Sequence, residues 1–354
     1  MRVLVTGANG HIGCNLLPIL IEEGHEVVPF VREGADTRGI DGLGLTFARG
    51  DVLDGDALGR AAEGCDAIIH MAAVYSMSND PEVVMAPAIE GSKNVVRAAT
   101  SHGIGRIVYT SSTVSIGKRR APVALTEADW ADDAVLPYAI AKRDSERAAA
   151  RLAAEAGVDL IILNPTGIYG RWDLRLTPSN AFALNWLTGR AQTVPGGTSV
   201  VDVRDVALAH ARALTRGAAG ERHILCAANL VSKELGARLK ALFGVGPLYM
   251  PAPRWVLIPA TACLEALFAL VGKEPPYTRS VVKEWAHNHA WFDGSKAERV
   301  FDFKYRDTDE TLIDAVSWLA HQGRFPGRLN ARLSEAFPPE PAWGPSSNPN
   351  RLKA

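Results

Sequence analysis

Over the first 170 positions, apolar residues fall into short β-branched runs separated by stretches with helical spacing. Arg2-Val3-Leu4-Val5-Thr6 passes into glycines at 7, 10 and 13 and then into Leu16, Leu17 and Leu20, which reads as strand, tight turn and helix. Residues 25–32 form a second such run, Gly50-Asp51-Val52 ends a third, residues 65–73 supply a fourth and residues 106–112 a fifth. Strands alternating with helices predict an α/β chain built on a parallel, doubly wound sheet, with ligands at the carboxyl ends of the strands. Asp51, His70 to Ala73 and Ser112 fall on that edge.

After about residue 170 the pattern loosens, as expected where an inserted lobe alternates with segments that return to the sheet, near residues 198–202 and 223–226. The expected organisation is a cofactor domain over 1–170 with returning segments at about 198–228, and a smaller, mostly helical lobe over 171–197 and 229–329. A proline-rich extended tail over 330–354 follows. Trp172, Phe182, Trp186, Trp255 and Trp285 are plausible walls for a pocket, although aromatics in a small lobe more often form core. The most apolar run covers residues 255–271 and holds Pro259 and Glu265. It is short and interrupted for a membrane span, so a buried helix of the lobe is expected. A lid over a lipophilic substrate, or a weak membrane-surface contact, is the sharper reading.

Composition narrows the class without naming a function. With 354 residues, 47% hydrophobic and 22% charged, the chain can bury a large core plus a second lobe. A net charge of −1 makes no electrostatic case for nucleic acid. Cys14, Cys65, Cys226 and Cys263 are scattered without metal-ligand spacing, so reduced thiols, no metal and a cytoplasmic protein without a signal peptide are expected.

The chemistry begins with Tyr138 and Lys142. Four residues apart at the predicted start of a helix, they share one face. An ammonium beside a phenol favours the phenolate, which lowers the tyrosine pKa from about 10 toward neutral pH and suits it to exchange a proton with a carbonyl oxygen. The glycine turn at 7, 10 and 13 lets backbone approach a pyrophosphate at a helix N-terminus. At the end of the second strand, where an acid would hold a ribose 2′-hydroxyl, stands Arg32, which predicts NADP(H) over NAD(H). Asp51 is either an adenine contact or a turn cap, and His70 is expected to be a satisfied imidazole.

Taken together, Thr6-Gly7-Ala8-Asn9-Gly10-His11-Ile12-Gly13, Gly50-Asp51, His70-Met71-Ala72-Ala73, Tyr109-Thr110-Ser111-Ser112, Tyr138 with Lys142, Asn164-Pro165-Thr166 and residues 201–207 resemble the extended short-chain dehydrogenase/reductases. Within that family the chain looks most like the dihydroflavonol-reductase and 3β-hydroxysteroid-dehydrogenase branch. The resemblance implies a Rossmann-type fold with a smaller C-terminal substrate lobe. It implies Tyr138 as general acid and base, Ser112 (with Ser111 as fallback) as donor to the substrate oxygen, and Lys142 as the ribose contact that tunes Tyr138. Thr6, Gly7, Asn9, Gly10, His11, Ile12, Gly13, Arg32, Asp51, Val52, Met71, Ala72, Ala73, Asn164, Pro165 and Thr166 would complete the cofactor site. Ala88 stands where many members carry asparagine, which puts that residue's role in doubt here. Three functions follow in order: an NADP(H)-dependent carbonyl reductase or alcohol dehydrogenase acting on a small, lipophilic substrate; a nucleotide-sugar epimerase or dehydratase with bound NAD; and a cofactor-sensing regulator. The sequence leaves open whether the protein is a homodimer.

Overall fold

The computed structural model describes residues 1–72, 81–270, 272 and 278–338; Ala73 and the distal tail lie outside the described residues. The first half runs β1 (Arg2–Thr6), α1 (His11–Glu22), β2 (Glu26–Val31), β3 (Ala48–Arg49), α2 (Gly55–Ala62), β4 (Ala67–His70), α3 (Pro81–Ser101), β5 (Arg106–Thr110), α4 (Pro137–Ala156) and β6 (Asp159–Pro165). There follow β7 (Gly167–Tyr169), α5 (Pro178–Leu187), β8 (Gly197–Asp202), α6 (Val203–Arg212), β9 (Arg222–Leu225), β10 (Ala228–Val231), α7 (Ser232–Phe243), α8 (Arg254–Leu270), α9 (Arg279–Trp285), α10 (Ser295–Phe301), α11 (Thr308–His321) and α12 (Gly327–Ala336).

Seven strands make one parallel sheet in the order β3-β2-β1-β4-β5-β6-β9. Side chains alternate across a strand, so β1 sends Val3 and Val5 to one face and Leu4 to the other. Val3 and Val5 pack with Leu16, Leu17 and Leu20 of α1 and Val206 of α6. Leu4 joins Leu58 of α2, Val95 of α3 and Ala149 of α4. Burial on both faces explains why these strands are nearly continuous apolar runs. The strand order reverses between β1 and β4, which opens a crevice at their carboxyl ends.

Two backbone approaches shape that crevice. Gly7 has φ +71°, and a Cβ there would lie 2.8 Å from the Ala72 nitrogen. At Gly13 a Cβ would meet the Ala8 carbonyl oxygen at 2.2 Å, so α1 can lean on the β1 turn only with glycine at that point. Helix starts are set locally: Asp54 accepts from the Asp56 and Ala57 amides to begin α2, and Pro137 pre-sets the first turn of α4. That proline places Tyr138 at the mouth of α4, and Gly157, at φ 68°, ends the helix.

Three expectations need correction. Residues 198–202 do not return to the main sheet; as β8 they pair parallel with β7 and antiparallel with β10 in a separate three-stranded sheet. The free edge of β6 is taken instead by β9. Residues 330–336 are helical, as part of α12, because Leu333 buries itself against the lobe core of α5, α7 and α11. The apolar run is not a buried helix: Thr261 alone is buried in α8, while Trp255 is 77% and Leu270 84% exposed, because α9 is its chief packing partner. Among the described residues, no helix is long and apolar enough to cross a membrane.

Two predictions follow from the core. Gly13→Ala should destabilise by about 1–3 kcal/mol, since the added methyl overpacks against backbone. Gly59→Ala in α2, where the nearest atom would be a tolerable 3.7 Å away, should be neutral or mildly stabilising; urea unfolding of both variants distinguishes the two effects. Burial lowers His70 to about 3 and His210 and His223 to about 4. Below the unfolded pKa near 6.5 the unfolded chain takes up protons that the folded chain refuses. Stability should therefore fall on acidification, by up to about 1.4 kcal/mol per pH unit for each imidazole. Asp205, raised to about 6 by burial, works in the opposite sense between about pH 4 and 6, one group against three. A urea midpoint unchanged between pH 7 and 5 would contradict this.

Candidate active site

The carboxyl ends of β1, β4, β5 and β6 open into one cleft of about 1160 Å³ that continues between sheet and lobe. On the sheet side the wall is the α1 N-terminus. Gly10 caps it without a side chain, and no acidic residue stands in the first turn. Gly7, Asn9, Gly10, His11, Ile12 and Gly13 all line the cleft, so the unpaired leading amides and positive dipole end of α1 are presented there. Arg32, Asp51, Val52, Met71, Ala72, Pro165 and Thr166 line it as well.

Two of the expected residues stand behind the wall. The Thr6 hydroxyl lies 2.7 Å from His70 Nδ1 and accepts from the Ala72 amide at 3.3 Å, tying the ends of β1 and β4 together. Asn164 is fully buried and does not line the cleft. His70 is buried and held neutral, as a satisfied imidazole should be. Asp51 accepts from the Leu53 amide at 3.0 Å, a turn contact, while still reaching the cleft. At the end of β2, Arg38 engages Asp36 through two nitrogens at 2.9 and 2.7 Å and holds its carboxyl down at about 2. Arg32 lines the cleft without a neighbouring acid bonded to it among the described contacts.

Ser112, Tyr138 and Lys142 all line the same cleft. Lys142 is buried, its ammonium 3.5 Å from the Thr110 carbonyl, and burial lowers it to about 8 against the opposing pull of Glu146. The Ser111 hydroxyl is committed to Glu146, whereas Ser112 accepts only a 3.3 Å bond from the Val114 amide at its hydroxyl oxygen. Ala88 also lines the cleft, its carbonyl accepting from Ser92 at 2.7 Å, so a methyl occupies the position where asparagine was in question.

The lobe side is largely apolar: Phe182, Trp186, Leu235, Trp285 and Phe292 face the cleft. Trp172 instead packs at a tilt against Trp318 at 4.9 Å between centroids, and Trp255 points to solvent. No residue of α8 lines the cleft, so the lid role expected for it is not seen. Lys118 and Glu284 form a buried ion pair that joins the β5–α4 connection to α9 at the cleft wall. Neither residue carried a sequence signal, since each lies in a segment without strong periodicity.

Comparison with known proteins gives the family. Residues 3–227 match the NAD dependent epimerase/dehydratase family. A Synechocystis protein carrying a dihydroflavonol 4-reductase designation is 31% identical over 327 residues, covering 90% of this chain and 94% of its own. The 2-alkyl-3-oxoalkanoate reductase of Stenotrophomonas maltophilia is 31% identical over 318 residues, 86% of this chain and 94% of its own. The crystal structure of gox2253 superposes with a TM-score of 0.80 at 31% identity, over 92% of this chain and 99% of that one. The chain therefore belongs to the NAD-dependent epimerase/dehydratase family of extended short-chain dehydrogenase/reductases, in its dihydroflavonol-reductase-like branch, and is an NAD(P)-dependent oxidoreductase.

Proposed function

We propose that the protein is an NADP(H)-dependent reductase of a ketone or aldehyde on a small, lipophilic molecule, running in reverse as an alcohol dehydrogenase. The observation that carries this reading is the convergence of Ser112, Tyr138 and Lys142 on the cleft that also receives the bare N-terminus of α1. A dinucleotide fits that half of the cleft. Its pyrophosphate would lie on the α1 amides, which Gly7 and Gly13 bring to the cleft by letting the turn pack against Ala72 and Ala8, and Arg32 would meet a 2′-phosphate. Once bound, the nicotinamide supplies or accepts the hydride.

The remaining chemistry belongs to side chains. Tyr138 gives its phenolic proton to the substrate oxygen in reduction and takes it back in oxidation. Ser112 donates to the same oxygen and stabilises the charge that develops there. Lys142, largely protonated at neutral pH with a pKa of about 8, favours the Tyr138 phenolate and would hold the ribose hydroxyls. The aromatic lobe wall favours an apolar substrate body. A nucleotide-sugar reading needs arginines to clamp a diphosphate, but Arg171 is engaged by Asp314 at 2.7 Å and Arg190 does not line the cleft, which leaves Arg175.

Replacing Tyr138 with Phe should lower kcat by about 10²–10⁴-fold while the NADPH dissociation constant stays within a few-fold; near-normal turnover would remove Tyr138 from the mechanism. Titration of both cofactors should show NADPH bound more tightly than NADH, and Arg32→Ala should erase the difference. In a carbonyl panel followed by NADPH absorbance, long-chain or polycyclic carbonyls should outrun small polar ones. Stable NAD(H) retention without net turnover would point to the epimerase instead.

A further inference from the structure

Behind the catalytic wall lies a carboxylate that the proposed reaction does not use. Glu146, one helical turn beyond Lys142 on α4, is fully buried. Its Oε2 accepts from the Ser111 hydroxyl, from the Ser115 hydroxyl at 2.7 Å and from Asn164 Nδ2 at 2.9 Å. Its Oε1 accepts from Arg222 Nε at 2.5 Å. An acceptor-only pattern of four donors is what an ionised carboxylate requires.

We propose that Glu146, clamped by Arg222, is a positioning residue that sets both the placement of Ser112 and the charge balance of the Tyr138–Lys142 pair. The inference rests on the reading of Tyr138 and Lys142 as the proton-transfer pair.

The placement half follows from connectivity. Ser115 Oγ donates to the Ser112 carbonyl at 2.8 Å, and Asn164 Nδ2 reaches the same carbonyl at 3.4 Å. Both donors are themselves held by Glu146, so one carboxylate fixes the turn that bears Ser112, the end of β6 and the helix that bears Tyr138 and Lys142. Arg222 arrives from β9 and is over-determined. It donates to the Glu127 and Asp129 carbonyls at 2.8 and 2.7 Å, reaches Ser115 Oγ at 3.2 Å, and stacks 3.8 Å above the Trp130 ring. This explains what Asn164 does from behind the wall.

The charge half follows from position. Residues four apart on a helix share a face, so the Glu146 charge stabilises the buried Lys142 ammonium. Arg222, paired with Glu146, brings the opposite charge into the same network. Among the described residues, the other titratable groups around the network are His70 on β4, Tyr109 on β5 and His210 on α6. Burial keeps both imidazoles neutral and the Tyr109 phenol protonated. Lys296 donates to the Arg222 carbonyl at 3.0 Å, and Asp129 pairs with Arg119. On α3, Glu90 is shared between Lys93 and Arg97. Glu146 and Arg222 are thus the buried, directly paired opposite charges of this network.

The test is the pH dependence of kcat in three purified variants, with NADPH binding and thermal melting as checks on folding. Glu146→Gln removes a negative charge and exposes the pair to Arg222, so both apparent pKa values of the Tyr138–Lys142 pair should fall, by about half a unit or more. Arg222→Met removes the positive charge and should move the same limb upward. The double variant Glu146→Gln/Arg222→Met, with neither charge, should return the limb near its original pH even if it melts lower. In all three, kcat should drop about tenfold or more through the loosened Ser112 turn, with NADPH affinity within a few-fold. Lower melting temperatures with an unmoved limb, or limbs that move the same way in both single variants, would reduce Glu146 to a purely structural role. If the limb survives in Tyr138→Phe, the proton-transfer reading fails first, and the two failures are told apart.

Discussion

Two contacts that admit no side chain govern the site: Gly7 against Ala72, and Gly13 against the Ala8 carbonyl. They let the β1 turn, the α1 N-terminus and the end of β4 converge at the point where strand order reverses. Without that approach the leading amides of α1 would be held away from the crevice, and an anion would find no concentrated positive field there. The remaining elements can be seen as support for this meeting. Helices on both faces bury the strands, and β9 closes the far edge of the sheet while delivering Arg222.

Polar groups are arranged around this frame in two layers. Ser112, Tyr138 and Lys142 line the cleft, as does Ser111, whose hydroxyl turns back to Glu146, while Ser115, Asn164, Glu146 and Arg222 stand behind them. The inner layer is expensive to bury, and it is tolerated because each of these side chains makes at least one hydrogen bond, although Asn164 Oδ1 is left without a partner. Its strongest link, Glu146 to Arg222, spans 76 residues and joins two elements that the sheet alone does not bring into contact. The lobe contributes differently. Its aromatic residues shape the substrate side of the cleft, and its Glu284 at the cleft wall is tied up by Lys118 of the β5–α4 connection.

Legibility differed by region. In the first 170 residues both the glycine turn and the Tyr138–Lys142 spacing are local patterns, so the alternation of strands and helices in a parallel sheet and many of the residues that line the cleft could be read from periodicity and motif. Thr6 and Asn164 carried the right motif but point behind the wall, since a motif marks a segment and not the direction of each side chain. The lobe resisted reading because its elements are short and their partners distant. Residues 198–202 form a strand, but whether it joins β6 or β7 depends on which edge β9 has already occupied. The apolar run of α8 looked like core by composition, yet a helix is buried only if neighbours cover it, and here chiefly α9 does.

The sequence by itself determined a doubly wound α/β cofactor domain, the glycine turn that leads into α1, and the tyrosine–lysine pair, because each depends on contacts within a few residues or on strict periodicity. Tertiary structure alone decided that Ser111 faces Glu146 while Ser112 faces the cleft, that Asn164 serves the wall from behind, and that Arg222 reaches the network. Those choices rest on contacts between residues far apart in the chain, and nothing local to any one residue encodes its partner.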